Sequence, residues 1–284
     1  MTGCAIRKIR TRRLILLSLL LAVFGASLSG CGGRLPGERD GPGRHRDVSH
    51  VSDAVPKVEP RSRGGNAKTY KVLGKRYYTL PSSKGFVERG IASWYGRKFH
   101  GRKTSNGETY DMYVMSAAHK RLPIPTYLKV TNLENGRQVV VRVNDRGPFH
   151  ENRIIDLSYA AASRIGMLGK GTALVEIRAI DPRAPQATPR LRSAKATAPA
   201  AKKTASGPLI FLQAGAFSSN GNAERLRQRL ERGLERRVRV VPVQTNRGAV
   251  HRVQIGPLAS VEIADRVSAQ LHEFGVSEPL VVIE

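Results

Sequence analysis

Cysteine is nearly absent from the sequence: its 284 residues hold two, Cys4 and Cys31, both close to the N-terminus. The rest of the chain therefore has no thiol pair for a disulfide, no thiolate metal site and no nucleophilic cysteine. Its 7 histidines form no HExxH or comparable cluster, so no metal and no cofactor is expected. Aromatic residues are scarce too, at 6% with a single Trp against 40% hydrophobic residues. Large core side chains are few, and modest domains with unfolded connections are expected. Acidic residues are the last deficit, 22 against 48 Lys and Arg, for a net charge of +26. A balance this basic ordinarily points to nucleic acid or an anionic surface. The excess is spread, however, with +7 over 32–85, +7 over 86–180, +5 over 181–206 and +2 over 207–284. Connections carry it as much as folded parts do.

What is present first is an export signal. Arg7, Lys8, Arg10, Arg12 and Arg13 precede the apolar run LILLSLLLAVF (14–24), and small residues follow. The pattern is that of a secretory signal, too short for a transmembrane helix. The run ends in LSGC, Leu28 to Cys31, which resembles the bacterial lipobox. That resemblance implies cleavage before Cys31 and lipidation, palmitate included, of the new N-terminus. With Gly at position 32 rather than Asp, it implies delivery to the outer membrane of a diderm bacterium, the mature domains facing the periplasm. Lipid head groups and the acidic peptides of the cell wall then become the expected anionic partners, and nucleic acid does not.

The chain divides into a lipoprotein signal peptide (1–30), a disordered tether (31–85), a β-rich domain (86–180), a linker (181–206) and a second domain (207–284). The tether is rich in Gly, Pro, Arg and Ser and cannot bury enough surface to offset chain entropy; within it only YKVLGKRYYTL (70–80) is expected to dock on the next domain. The linker is Ala-, Pro- and Lys/Arg-rich without a period. In the first domain GIASWYG (90–96), TYLKVTNL and RQVVVRVND read as strands. The Asn135-Gly136 step predicts a type I′ hairpin between the last two. A helix is predicted at DLSYAAASRIG (156–166), capped by Asp156 or Ser158, and TALVEIRAI closes the domain. In the second domain strands at 209–217, 238–244 and 249–256 and EPLVVIE alternate with helices at 222–234 and 260–275. This βαββαβ order predicts a four-stranded antiparallel sheet with two helices on one face and the other face open.

The segment GIASWYGRKFHGRKTSNGETYDMYVMSAAHKRLP, followed by LKVTNLENGRQVVVRVNDRGPF and RIIDLSYAAA, resembles the RlpA-like (rare lipoprotein A) domain. Mild departures are Ser105 and Ser116, where Ala and Thr are usual. The C-terminal FLQAGAF, NAERLRQRL and HRVQIGPL are similar to a SPOR domain, departing at Ala214 and His251. The resemblance implies a six-stranded double-psi β-barrel followed by a SPOR domain. It also implies a septal lytic transglycosylase cleaving the β-1,4 bond between N-acetylmuramic acid and N-acetylglucosamine, acting on glycan strands stripped of stem peptides. Divisome or amidase partners follow from that layout. A barrel of this kind that grips glycan without cutting it, as in expansin-like relatives, is the alternative.

Glycosidic cleavage requires a proton on the leaving oxygen and negative charge near a developing oxocarbenium ion. In a transglycosylase the C6 hydroxyl of the muramic acid closes a 1,6-anhydro ring, so one carboxyl group can give a proton and later take one. Glu108 and Asp111 fall on the family's acidic positions, in a loop opened by Asn106-Gly107. Asp145 in VNDRGPF is a second candidate, or else a turn residue bonded to its own backbone or to Arg146. His119 is expected in a short helix, as a helper to a carboxylate or as a packed residue. Trp94 and Tyr95 offer faces for sugar stacking or belong to the core, and Asn106 is a further glycan contact. In the SPOR-like domain Gln213, Gln254, Phe217 and Arg252 are the glycan-binding candidates, because amides suit hydroxyl and acetamido groups. The alternating charges of ERLRQRLERGLERRVR read as a solvated helix face, and the aromatic pattern of RNA-recognition modules is missing.

Overall fold

Apolar and polar residues alternate through Thr126–Asn132 and Gln138–Asp145, the period of strands with one face turned inward. In the computed structural model of the protein, which describes residues 41, 43, 46–184, 207–246 and 248–284, these stretches are two of twelve strands. The N-terminal ones are β1 (Thr69–Val72), β2 (Lys75–Tyr78), β3 (Val87–Tyr95), β4 (Ser116–His119), β5 (Thr126–Asn132), β6 (Gln138–Asp145), β7 (Arg153–Ser158) and β8 (Ala173–Ile180). The signal segment 1–30, Cys31 and linker residues 185–206 lie outside the described residues.

Strands β3 to β8 close a six-stranded double-psi barrel in the order β3-β7-β4-β6-β5-β8. Two pairs, β3 with β7 and β4 with β6, run parallel, and the remaining pairs are antiparallel. Ala92, Leu128, Val130, Val141, Val143, Ile155, Leu157, Val175 and Ile177 fill the interior with no exposure, each large side chain contributing about 1.5–3 kcal/mol relative to solvent. Helix α1 (Tyr159–Arg164) follows β7 and is capped by Ser158, whose Oγ accepts from Ala161 N. Asp156, the alternative cap, instead belongs to β7.

Two local expectations are corrected. The β5–β6 hairpin forms, but over the four residues Leu133–Gly136, closed by Gly136 N to Asn132 O at 2.8 Å; only Gly136 takes a positive φ, so the turn is not type I′. A two-residue turn with both central φ values positive occurs in the β1–β2 hairpin, at Leu73 (49°) and Gly74 (77°). His119 ends β4 and is not helical.

The larger correction concerns the disordered tether, 31–85, of which residues 46–85 pack on the barrel. Val48 is buried in its core, Ala54 N donates to Val140 O, and Ser62 N to Ile124 O. The Asn66 amide brackets Ile124, donating to its carbonyl at 2.6 Å and accepting from its N–H at 2.8 Å. Composition forecast an unfolded tether because the segment has little apolar surface of its own. It is held by hydrogen bonds to groups the barrel presents and by the packing of Val48, Val51, Ala54 and Leu80 on the barrel core, partners that the segment's own composition does not register.

The C-terminal domain is β9 (Ile210–Phe217), α2 (Asn220–Leu234), β10 (Val238–Thr245), β11 (Gly248–Leu258), α3 (Val261–Leu271), a short 3-10 turn and β12 (Leu280–Ile283). Its antiparallel sheet has the order β10-β11-β9-β12. Ala223, Leu226, Leu230 and Leu234 of α2 and Val267 and Leu271 of α3 cover Leu212, Val253 and Ile255.

Candidate active site

The C-terminal ends of β4 and β6, the middle of β7 and the turn 104–108 meet at one end of the barrel. Ala118 of β4 pairs with Asp145 of β6 on one side and Asp156 of β7 on the other. Two strand spacings put the α-carbons of these acids about 10 Å apart. Gly147, beyond Asp145, lies over them: a Cβ there would stand 3.7 Å from Ala118 Cβ and 3.8 Å from Asp156 Oδ2.

Asp145 is fixed by the turn beside it. Ser105 N donates to its Oδ1 at 2.8 Å, as do Ser105 Oγ and Arg146 N, and Oδ2 accepts none of these bonds. The Arg146 guanidinium turns away to the carbonyls of His119, Leu122 and Gly65.

Glu108 is held across from β6. Arg142 Nη1 donates to both carboxylate oxygens at 2.9 Å, and Asn144 Nδ2 to Oε2 at 2.9 Å. Asn106 caps the turn, its Oδ1 accepting from Glu108 N and Thr104 Oγ1. Partial burial raises the Glu108 pKa, but the bonds from Asn144, Arg142 and Asn106 outweigh it and hold the carboxyl below its ordinary range. Asp156 is displaced the other way. Burial pushes its carboxyl up, against the opposing effects of the Ser93 hydroxyl, which donates to Oδ1, and of Lys120, Arg153 and His150.

The sequence candidates divide accordingly. Glu108, Asn106 and Asp145 come together, while Asp111 and His119 have partners elsewhere. Asp111 Oδ1 accepts from Tyr113 N at 2.9 Å and lies 3.6 Å from His100 Nδ1. His119 is 2% exposed; its Nδ1 accepts from Arg121 N and Leu122 N, which leaves the proton on Nε2, 3.6 Å from Glu88. Burial lowers the His119 pKa against the pull of Glu88, so the ring is a neutral clamp on the turn after β4. Tyr95 is no sugar platform: it is buried and stacks on Tyr110 at 4.0 Å. Trp94 is half-buried, its edge against Tyr159. Sequence reasoning passed over Arg142, Asn144 and the role of Asp156. The alternation of β6 predicts that Arg142 and Asn144 share a face, but not that Glu108 folds onto it.

In the C-terminal domain Gln213 and Gln254 are cross-strand neighbours on the face away from the helices, with Arg252 two residues along the same face. Gln254 Oε1 accepts from Arg239 Nε and Nη2 at 3.0 and 2.8 Å, and that guanidinium lies 3.8 Å over the Phe211 ring. Gln213 Oε1 is buried without a partner. Phe217 does not belong to this face: it packs against the helix-side core near Leu226, because an irregularity between Val253 and Gln254 shifts the register of β9.

Comparison with known proteins agrees with this architecture. Residues 87–177 match the family described as lytic transglycolase, and residues 206–282 match the SPOR domain. The chain is 39% identical to the endolytic peptidoglycan transglycosylase RlpA of Pseudomonas aeruginosa (strain UCBPP-PA14), over 90% of this chain and 88% of that protein. Against the protein of the same name from Vibrio cholerae serotype O1 it is 57% identical over 58% of this chain and 63% of the other. Among solved structures, the SPOR domain of RlpA from Pseudomonas aeruginosa aligns at 29% identity over 26% of this chain and 96% of that one, with a TM-score of 0.25. With the barrel, the sheet and a relative matched over nearly its whole length, the chain belongs to the RlpA family of lytic transglycosylases.

Proposed function

We propose that the barrel cleaves the β-1,4 bond between N-acetylmuramic acid and N-acetylglucosamine inside peptidoglycan strands, leaving 1,6-anhydro ends. The observation that carries this reading is the contrast between two carboxyl groups at one end of the barrel, Glu108 gripped by Arg142 and Asn144 and thereby held downward in pKa, Asp156 enclosed in the strand wall beside the Ser93 hydroxyl and pushed upward. Divergent environments are how two like groups take acid and anion roles at one pH. Asp156 donates its proton to the glycosidic oxygen as the C1–O bond breaks. Glu108, kept ionised, and Asp145, whose bonds from Ser105 and Arg146 all fall on Oδ1, supply negative charge to the oxocarbenium ion. The C6 hydroxyl then closes on C1, and its proton returns to Asp156, which restores the starting state without a water.

Arg252, with Gln213 beside it and the buried Gln254 holding Arg239 from beneath, marks the face by which the SPOR domain binds glycan lacking stem peptides. The export signal directs the chain out of the cytoplasm, and Cys31, made N-terminal by its removal, tethers the protein through lipid to the outer membrane, where it acts on septal wall during daughter-cell separation, beside the amidases that strip the strands.

The test is digestion of amidase-treated sacculi by residues 32–284, with mass spectrometry of the released fragments. Anhydro-ended products are expected from the wild type, and Glu108→Gln, Asp145→Asn and Asp156→Asn should each suppress them. Sacculus binding without such products under varied pH would replace this reading with a glycan-gripping one.

A further inference from the structure

Arg142 is held from two sides. Glu108 occupies Nη1, while Glu59, from the segment before the barrel, accepts from Nε at 3.0 Å and Nη2 at 2.8 Å. Glu59 is itself fixed by Tyr127, whose hydroxyl donates to Oε1 at 2.5 Å. A lone arginine–carboxylate pair at a part-exposed site samples many geometries; a fork gripped along its other edge has one plane, and that plane aims Nη1 at Glu108. Five residues further along, the same segment meets the turn that carries Glu108 and braces Asp145. A Cβ on Gly64 would lie 2.7 Å from Ser105 O and 3.3 Å from Asn106 Cα, so only glycine permits the contact. The carbonyl of Gly65 accepts from Arg146 Nε at 2.7 Å.

We propose that residues 59–66 are a positioning element of the active site: Glu59 orients Arg142 and through it Glu108, and Gly64-Gly65 press the Ser105-Asn106 turn against Asp145. This rests on the reading that Glu108 and Asp145 serve the reaction. The catalytic unit then begins ahead of the matched family segment 87–177.

Arg142 is the charged group set against Glu108, and Glu59 takes up part of its charge. Removing the Glu59 charge gives Glu108 the full field of the guanidinium while freeing that guanidinium to swing. In residues 32–284, Glu59→Gln is expected to lower kcat/KM roughly tenfold to a hundredfold and to move the acid limb of its pH profile to lower pH, with the melting temperature nearly unchanged. Glu59→Asp restores the charge without the reach, so its limb returns while its rate stays intermediate. A wild-type rate with an unmoved limb in Glu59→Gln overturns the proposal, as does a loss that follows melting alone. Should Glu108→Gln keep full activity, the reading of the site fails instead; carbon-13 titration of the Glu108 carboxyl in wild type and Glu59→Gln still decides whether Glu59 acts on it, and identical titrations overturn the positioning role.

Discussion

Replacing Asp156 with Asn separates stability from catalysis at one residue. The folded-state pKa of this carboxyl is raised from 3.8 by burial, so the native state prefers it protonated. Its stabilising contribution is complete below pH 3.8 and is lost as pH rises through the folded-state titration; above that, the fold carries the cost of a buried charge. Asn keeps the Oδ1 acceptor for the Ser93 hydroxyl and cannot ionise. At neutral pH the variant is therefore the more stable protein, by about 1.4 kcal/mol for each pH unit of displacement. Each kcal/mol corresponds to roughly 4–8 °C in the melting of a domain this size. The gap in melting temperature should vanish near pH 3 and widen above pH 3.8 until the folded-state titration is complete. Activity moves oppositely, because loss of a general acid removes about 10²–10⁴ in rate. Calorimetry across pH, paired with quantification of anhydro ends, checks both halves. An Asp156→Asn protein that melts below wild type at pH 8, or that releases product within threefold of wild type, refutes the reasoning.

Substitutions at three further positions probe other parts of the molecule. His119→Asn preserves an acceptor for the Arg121 and Leu122 N–H groups, so activity should stay within about threefold, whereas His119→Ala should cost about 2–4 kcal/mol in denaturant titration by leaving those donors unpaired beside a cavity; a folded but inactive His119→Asn would return the ring to catalysis. Leu73→Asn should relieve about 1 kcal/mol of left-handed strain at an 87% exposed turn position, seen as slower hydrogen exchange across Thr69–Tyr78; faster exchange would contradict it. Gln213→Leu removes a buried acceptor without a partner, so the C-terminal domain should gain about 1 kcal/mol while sacculus co-sedimentation weakens. Unchanged binding would take Gln213 out of the glycan surface.

The elements were legible where a local rule decides them. Alternation marked β5, β6 and β8, and the stripe Ala223, Leu226, Leu230 and Leu234 marked α2, because periodicity and burial are tied residue by residue. The parallel pairs were not legible this way. Nothing near Asp156 announces that it will lie two strands from Asp145, since the β4/β6 and β4/β7 registers are set by closure of the whole barrel. Phe217 failed for a related reason: an extra residue in its own strand, Ala214, which the pairing with Val253 and Gln254 skips, turned inward a residue that simple alternation turns outward. Residues 46–85 failed because a segment read for its own apolar content says nothing of the carbonyls and carboxylates that await it on a neighbour.

Glu108 and Asp111 illustrate why an active-site pair cannot be read from spacing alone. Both sit on one solvent-facing loop, three residues apart, and two acids in like surroundings titrate alike; neither then becomes the proton donor while the other stays charged. The chain avoids this by turning them to different neighbours, Glu108 to Arg142 and Asn144 on β6 and Asp111 to His100 and Tyr113. The proposed donor comes from a drier place on β7, where Asp156 is partly enclosed between β3 and β4 and accepts from the Ser93 hydroxyl. The division of labour thus requires one acid from an exposed turn and one from inside the wall of the barrel. Strand β4, parallel to β6 and antiparallel to β7, brings Asp156 and the strand that holds Glu108 to the same end, which a meander of hairpins joining sequence neighbours does not do.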